Sequence, residues 1–327
     1  MTRARIISTG YYLPEKVLTN FDLEKMVDTS DEWIRTRTGI VERRIAKEEE
    51  SASSMGVIAG ERAIKNSGIK KDEIDTVICA TITPDYAFFP STACIIQREL
   101  GLKNAFAFDI SAACSGFIYA LTIAEGLLLS ERANKILVIA TEKMSSITDW
   151  EDRSTCVLFG DGAGACILTK DNGNRGILSS FLGSDGTLAD LLIVPAGGSK
   201  NPINEEHIKN RMHYLKMKGN EVFKAAVQRM IESSIKSIEL AGLKAEDIDL
   251  LIPHQANLRI INAIAKRLNL PDERVYVNLD RTGNTSAAST AIALAEAVEK
   301  EVIKENSVVN LVSFGAGFTW AGMVIRM

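Results

Sequence analysis

Two stretches of this chain follow one template. Residues 68–81, GIKKDEIDTVICAT, and residues 242–255, GLKAEDIDLLIPHQ, carry glycine, lysine, isoleucine and aspartate at matching offsets. Behind each come a helical stretch ending in a similar phrase (RELGL at 98–102, KRLNL at 266–270), a strand (AFAFDI, RVYVNL), a corner of small residues, an apolar helix and another strand (KILVIAT, SVVNLVSF). One matching phrase could be chance, but the same order of elements in both halves marks duplication. The pattern predicts α/β architecture with mostly parallel sheets, helices on their faces, and the two sheets stacked around shared central helices. The halves divide at 1–171 and 172–327. A polar, glycine-containing stretch at about 172–220, with GSDG, PAGGSK and NPINEEHIKNRMHY, fits neither unit and reads as an insertion or cap.

Composition narrows the function classes. A net charge of −4 supplies no global field for nucleic acid or an anionic membrane, so an anionic partner must be met by a local basic patch. No segment approaches the length of a membrane span, and the apolar stretch near MTRARIISTGYYLPEK is too short for a signal peptide, which predicts a cytoplasmic protein. Five cysteines without a C-x-x-C spacing fit a reducing compartment, no disulfides and no metal site.

Cys114 carries the chemistry. In AFDISAACSGFIYALTIAEGLLLS a strand over 105–110 runs through small residues into an apolar helix, which puts a thiol at a helix start, where free N–H groups and the dipole favour thiolate. Cys79, Cys94, Cys156 and Cys166 lie in apolar surroundings and read as core. His254 follows the strand IDLLIP, and Asn284 sits in NLDRTGNTSAAST between a strand at 274–279 and the next apolar helix. All three thus occupy the carboxyl edge, where α/β sheets bind ligands. His207 and His213, in the polar insertion, read as structural. A Cys-His-Asn set also fits a papain-like hydrolase, but apolar helices around the corners and the absence of C-G-S-C-W flanking disfavour it. Acyl transfer to carbon fits better, because neutral imidazole and amide N–H donors hold an enolate oxygen without quenching the carbanion. The glycine-rich LFGDGAGAC at 158–166 fails both the P-loop and Rossmann patterns and reads as a tight turn between strands. The aromatic loop TPDYAFFPS at 83–91 needs cover from a partner or a substrate.

ISAACSGF, HQANLRII, RTGNTSAAS and FGAGFTW, with TSDEWIRTRTGI and DRSTCVLFGDGAGA, resemble the thiolase-like condensing enzymes, and among them the β-ketoacyl-[acyl carrier protein] synthase III family, over essentially the whole chain. The resemblance implies a thiolase-like fold, its duplicated halves layered α-β-α-β-α. It implies an initiating enzyme of type II fatty acid synthesis that moves an acyl group from acyl-coenzyme A, acetyl in the first instance, to Cys114, and then condenses it with malonyl-acyl carrier protein, releasing CO2. A relative in secondary metabolism would share these motifs. His254 and Asn284 resemble the decarboxylation pair. The backbone N–H groups of Cys114 and Ala316 resemble the oxyanion donors, with Ala316 where the commoner FGGGF has glycine. Trp33 and Arg153 resemble an adenine sandwich, Arg37 a phosphate contact, and Thr29 and Asn257 lesser coenzyme contacts. Phe89 resembles the residue closing the acyl pocket across a homodimer. On the predicted helix after His254, Ile260, Ile261, Ile264 and Leu268 share the buried side; Arg259, Lys266 and Arg267, extended by Lys224 and Lys218, form a basic face for the acidic carrier protein. Acyl-coenzyme A is expected as substrate, with no resident cofactor.

Overall fold

The computed structural model describes residues 2–327. The first half supplies β1 (Arg3–Tyr12), β2 (Thr76–Ala80), β3 (Phe106–Ile110), β4 (Lys135–Lys143) and β5 (Asp161–Asp171). The second supplies β6 (Gly176–Ser184), β7 (Leu250–Pro253), β8 (Val308–Gly315) and β9 (Thr319–Arg326). They form a five-stranded sheet ordered β1-β5-β4-β2-β3 and a four-stranded sheet ordered β6-β9-β8-β7. In chain order β6, β7, β8 and β9 take the places of β1, β2, β4 and β5, so the repeated phrase is a repeated topology. The stretch expected to stand apart from both units therefore opens with β6, a full member of the second sheet.

Two expectations need correction. The sheets are mixed: β2 pairs parallel with β3 and β4, and β7 with β8, while the other pairings are antiparallel. The turn from β8 into β9 is too short for a crossover, so β9 returns antiparallel. The strand predicted at 274–279 shrinks to one parallel bridge between Leu251 and Val275. The buried Gln255 side chain takes the place of a ladder there. Its Oε1 accepts from the N–H of Asn278 (2.9 Å) and Leu279 (3.3 Å), and its Nε2 donates to the carbonyls of Pro253 and Tyr276.

Strand alternation separates the layers. In β2, Ile78 and Ala80 face the middle of the molecule while Val77 and Cys79 face outward, and β4 repeats this with Ile136 and Val138 against Leu137 and Ile139. Sheets buried on both faces need near-continuous apolar runs, which is what TVICA and KILVIAT provide. Helices α2 (Ala52–Ser67) and α3 (Thr92–Glu99) cover the outer face of the first sheet. Helices α5 (Gly219–Leu240) and α6 (Leu258–Leu268) cover that of the second. Between the sheets lie α4 (Gly116–Leu129) and α7 (Ala288–Glu299), giving the layered α-β-α-β-α thiolase-like fold. Helix α1 (Asp31–Thr38), capped by Ser30 and stopped by Gly39 at φ 83°, packs beside α6.

The glycine-rich segment is not a turn between strands: from Asp161 to Cys166 it forms the first half of β5. Its glycines admit α7: a Cβ at Gly164 would lie 2.5 Å from Ala291 Cβ and 2.6 Å from the Ile292 nitrogen. Cys79, Cys156 and Cys166 are buried as expected, whereas Cys94 is exposed. On α3 the inward positions are taken by Ala93 and Ile96, which turns Cys94 outward.

Candidate active site

Cys114 and His254 stand where strands end, whereas Asn284 follows a short helix, Leu279–Thr282, in place of the strand expected before it. Cys114 lies in a 3-10 turn, Ala113–Ser115, between β3 and α4, entered through Ala113 at φ 45°. His254 leaves β7 and is pinned by its backbone N–H to the Val312 carbonyl at 2.7 Å. Asn284 is locked on both sides, its N–H donating to the Leu158 carbonyl (2.8 Å) and its carbonyl accepting from Gly160 (3.1 Å). The three line one cavity of about 130 Å³, walled mainly by apolar side chains such as Phe159, Phe314, Phe223 and Leu215. Gly315 closes on the nucleophile turn so tightly that a Cβ there would sit 2.5 Å from the Cys114 nitrogen. Ala316 also lines the cavity and is not among the residues with positive φ, so alanine fits where glycine is commoner; the left-handed conformation falls on Gly317, at φ 132°.

Hydrogen bonding fixes what the two polar groups present. Asn284 Oδ1 accepts the Ser286 N–H at 2.9 Å, which leaves the amide NH2 to donate. His254 Nδ1 meets Ser289 Oγ at 2.5 Å, and that hydroxyl oxygen already receives the Gln255 N–H at 3.4 Å. A serine proton donated to Nδ1 puts the imidazole proton on Nε2. Burial pushes His254 down to about 3, so the ring is neutral. The site therefore offers two uncharged N–H donors.

Cys114 departs from expectation. Burial pushes its thiol up to about 12; the Ser286 hydroxyl, 3.6 Å from Sγ, opposes the shift and Glu142 adds to it. The helix start does not prevail because the sulfur is almost wholly desolvated and its histidine neighbour carries no charge. The resting group is a neutral thiol.

Of the expected coenzyme contacts only Asn257 lines this cavity; Trp33 and Arg37 line a separate pocket on α1. Arg153 lies over the Trp33 ring at 5.0 Å and Arg37 at 5.9 Å. Arg153 also donates to the Asp28 carbonyl at 2.7 Å. A base slipped between Trp33 and Arg153 needs the pair parted to about 7 Å, two contact distances. The Thr29 hydroxyl is buried without a partner among the described residues. Asn257 caps α6 through the Arg259 N–H (2.9 Å) and donates to the Arg37 carbonyl (3.0 Å), tying α6 to α1 as well as lining the cavity. Ile260, Ile261, Ile264 and Leu268 are buried on α6, while Arg259, Lys266 and Arg267, with Lys224 and Lys218 nearby in the chain fold, are exposed. None of these five cations forms an ion pair among the described residues. Phe89 is not brought to its own cavity: it is 83% exposed on the loop before α3. His207 and His213 also lie outside this cavity, as expected.

Residues 108–186 match the sequence profile of 3-oxoacyl-[acyl-carrier-protein] synthase III, and residues 238–327 match that of its C-terminal part. A β-ketoacyl-[acyl-carrier-protein] synthase III from Caldanaerobacter subterraneus subsp. tengcongensis is 54% identical, over 99% of this chain and 97% of that protein. The chain belongs to the synthase III family. Among solved structures, the 3-oxoacyl-[acyl-carrier-protein] synthase III of Aquifex aeolicus superposes with a TM-score of 0.91 at 49% identity, covering 99% of this chain and all of that one. The priming β-ketosynthase of the R1128 polyketide pathway superposes at 0.92 with 36% identity, over 99% and 96% of the two chains.

For a synthase III family member, three polar residues of this site were not singled out in the sequence. Ser286 and Ser289 lie inside the NTSAAST run that marks Asn284, but which of its small polar residues face inward depends on the turn into α7. Glu142 looks like an ordinary charged strand end in ATEKM; only packing shows it to be wholly buried.

Proposed function

We propose that Cys114, His254 and Asn284 divide the two half-reactions of this initiating condensing enzyme of fatty acid synthesis. Cys114 takes an acyl group from acyl-coenzyme A, and the Cys114 and Ala316 N–H groups hold the oxyanion of that step. His254 Nε2–H and the Asn284 amide then bind the thioester carbonyl of malonyl-acyl carrier protein. As CO2 leaves, the enolate oxygen is stabilised by neutral N–H donors too weakly acidic to protonate the carbanion, which attacks the acyl group on Cys114. The observation that carries this reading is the pair of neutral donors facing a buried thiol in one apolar cavity, which stabilises a carbanion and excludes water.

The same reading assigns the pocket at α1 and the outer faces. Trp33 and Arg153 receive the adenine once parted, with Arg37, Thr29 and Asn257 as further coenzyme contacts. The unpaired cations Arg259, Lys266, Arg267 and Lys224 receive the acidic carrier protein. Acyl-coenzyme A serves as substrate, with no resident cofactor. The protein acts as a homodimer in which Phe89 closes the partner's acyl pocket. Its division into halves 1–171 and 172–327 follows the duplication, with the cap confined to the part of 172–220 that follows β6. Action in the cytoplasm suits five free thiols, and no helix among the described residues is long and apolar enough to cross a membrane.

The test is incubation with labelled acetyl-coenzyme A and malonyl-acyl carrier protein, followed by intact mass. Wild type should give acetoacetyl-carrier product, Cys114→Ala no acyl-enzyme, and His254→Ala an acyl-enzyme that does not condense. Condensation by His254→Ala at the wild-type rate would refute the division of labour.

A further inference from the structure

Two donors can act on one oxygen only if their separation is fixed, and His254 and Asn284 sit on separate segments of the chain. Asn284 follows the short helix Leu279–Thr282, which Gly283 closes through its N–H to the Leu279 carbonyl at 3.0 Å. Asn278, at the start of that helix, makes no side-chain cap, because its amide is engaged by Glu296 Oε2 at 2.8 Å. The cap comes instead from Gln255, the residue after His254. Its Oε1 accepts the N–H groups of Asn278 (2.9 Å) and Leu279 (3.3 Å), which a helix start otherwise leaves free. Its Nε2 donates to the Tyr276 carbonyl at 3.1 Å and to the Pro253 carbonyl at 2.7 Å, the latter closing a turn across His254. The Gln255 side chain is wholly buried, and both of its donors and both acceptor positions are used. Among the described residues no other side chain hydrogen-bonds to both segments.

We infer that Gln255 is a positioning residue for the second half-reaction: it sets the separation of the His254 and Asn284 donors without touching substrate. This rests on the reading of that pair as the groups that bind the malonyl thioester carbonyl. Gln255 does not line the cavity, although His254, Ala256 and Asn257 on either side of it do. Each donor must meet the enolate oxygen at about 2.7–3.1 Å, and a displacement of about 1 Å can cost about 100-fold in rate. Acylation of Cys114 uses neither donor, its oxyanion being held by the backbone N–H groups of Cys114 and Ala316, so that step is indifferent to the spacing.

The four bonds require this side chain. Glutamate has the same shape but would turn a second oxygen toward the Pro253 and Tyr276 carbonyls, and methionine has the length with neither donor nor acceptor. Either change undoes part of the link at the His254 turn or at the Leu279 helix. Asn284 stays clamped on its other side by the Leu158 carbonyl and the Gly160 N–H, and His254 by the Val312 carbonyl, so loss of Gln255 shifts the two donors apart rather than releasing them.

The test measures the two half-reactions separately, acylation by acetyl-coenzyme A and condensation of the preformed acyl-enzyme with malonyl-acyl carrier protein, for wild type, Gln255→Met, Asn284→Ala and the double variant. Gln255→Met should slow condensation about 30- to 100-fold, with KM for malonyl-acyl carrier protein within about threefold and acylation within about twofold of wild type. In the Asn284→Ala background, where there is no second donor to space, Gln255→Met should cost less than about threefold more. If Gln255→Met does not fold, Gln255→Glu, which keeps the volume and the acceptor oxygen, carries the same comparison. A folded variant that condenses at the wild-type rate, equal losses in both half-reactions, or losses that multiply in the double variant overturn the positioning role. Wild-type condensation by Asn284→Ala alone would instead overturn the donor-pair reading, so the two failures are distinguishable.

Discussion

Burial sets the charge state of each group in the site. His254 is neutral because its environment refuses the imidazolium, and this leaves a mark on stability. The unfolded histidine titrates at its ordinary 6.5 and the native one at about 3, so between these values the unfolded chain binds a proton that the native state does not. The contribution is full above pH 6.5 and is lost as pH falls toward 3. Glu142 works in the opposite sense: its native value of about 7 exceeds the ordinary 4.5, so its contribution is full below 4.5 and is lost as pH rises through 7. Replacing His254 with Gln should flatten the acid limb of stability, read as the urea midpoint against pH between 6.5 and 4, without changing the behaviour above 7. The thiol is where sequence reasoning failed: position at a helix start argued for thiolate, while desolvation, invisible in the sequence, argued the other way and won.

At the scale of elements, the small residues do the positioning. Gly164 lets α7 lie directly on β5, and Gly315 lets the β8 turn close on Cys114, in the cavity that Asn284 and Ala316 also line. Helix α6 shows the other half of the pattern, with isoleucines inward and unpaired cations outward, beginning just past His254. Its basic face should matter to the carrier protein and not to the acyl donor. Arg259→Glu combined with Lys266→Glu should raise KM for malonyl-acyl carrier protein about tenfold or more while leaving the acylation rate by acyl-coenzyme A within about twofold, and the effect should shrink with salt. Equal loss in both half-reactions would count against a carrier-docking role. The helix was legible because its 3.6-residue period is strong; the strand expected at 274–279 was not, because Gln255, distant in the sequence, claims its backbone donors.

As a whole molecule, the chain sets one sheet edge beside exposed aromatics. β3 ends the first sheet with one side unpaired, Phe106 stacks on Phe108 near the surface, and Phe88 and Phe89 stand 78% and 83% exposed on the loop that precedes α3. An unpaired edge beside bare aromatics suits the assembly surface that the proposed homodimer requires. Phe88→Asp with Phe89→Asp should convert a dimer to a monomer in sedimentation equilibrium and slow acylation; a wild-type monomer at micromolar concentration would exclude the arrangement. The duplication, the layers, the buried runs of β2 and β4, and the placing of Cys114 and His254 at strand ends were decided by local sequence, because hydrophobic period and turn chemistry are local properties. Mixed strand direction, the outward face of Cys94, the neutral thiol and the burial of Glu142 belong to the tertiary structure alone, because pairing direction and desolvation depend on which distant segments come to rest against each group.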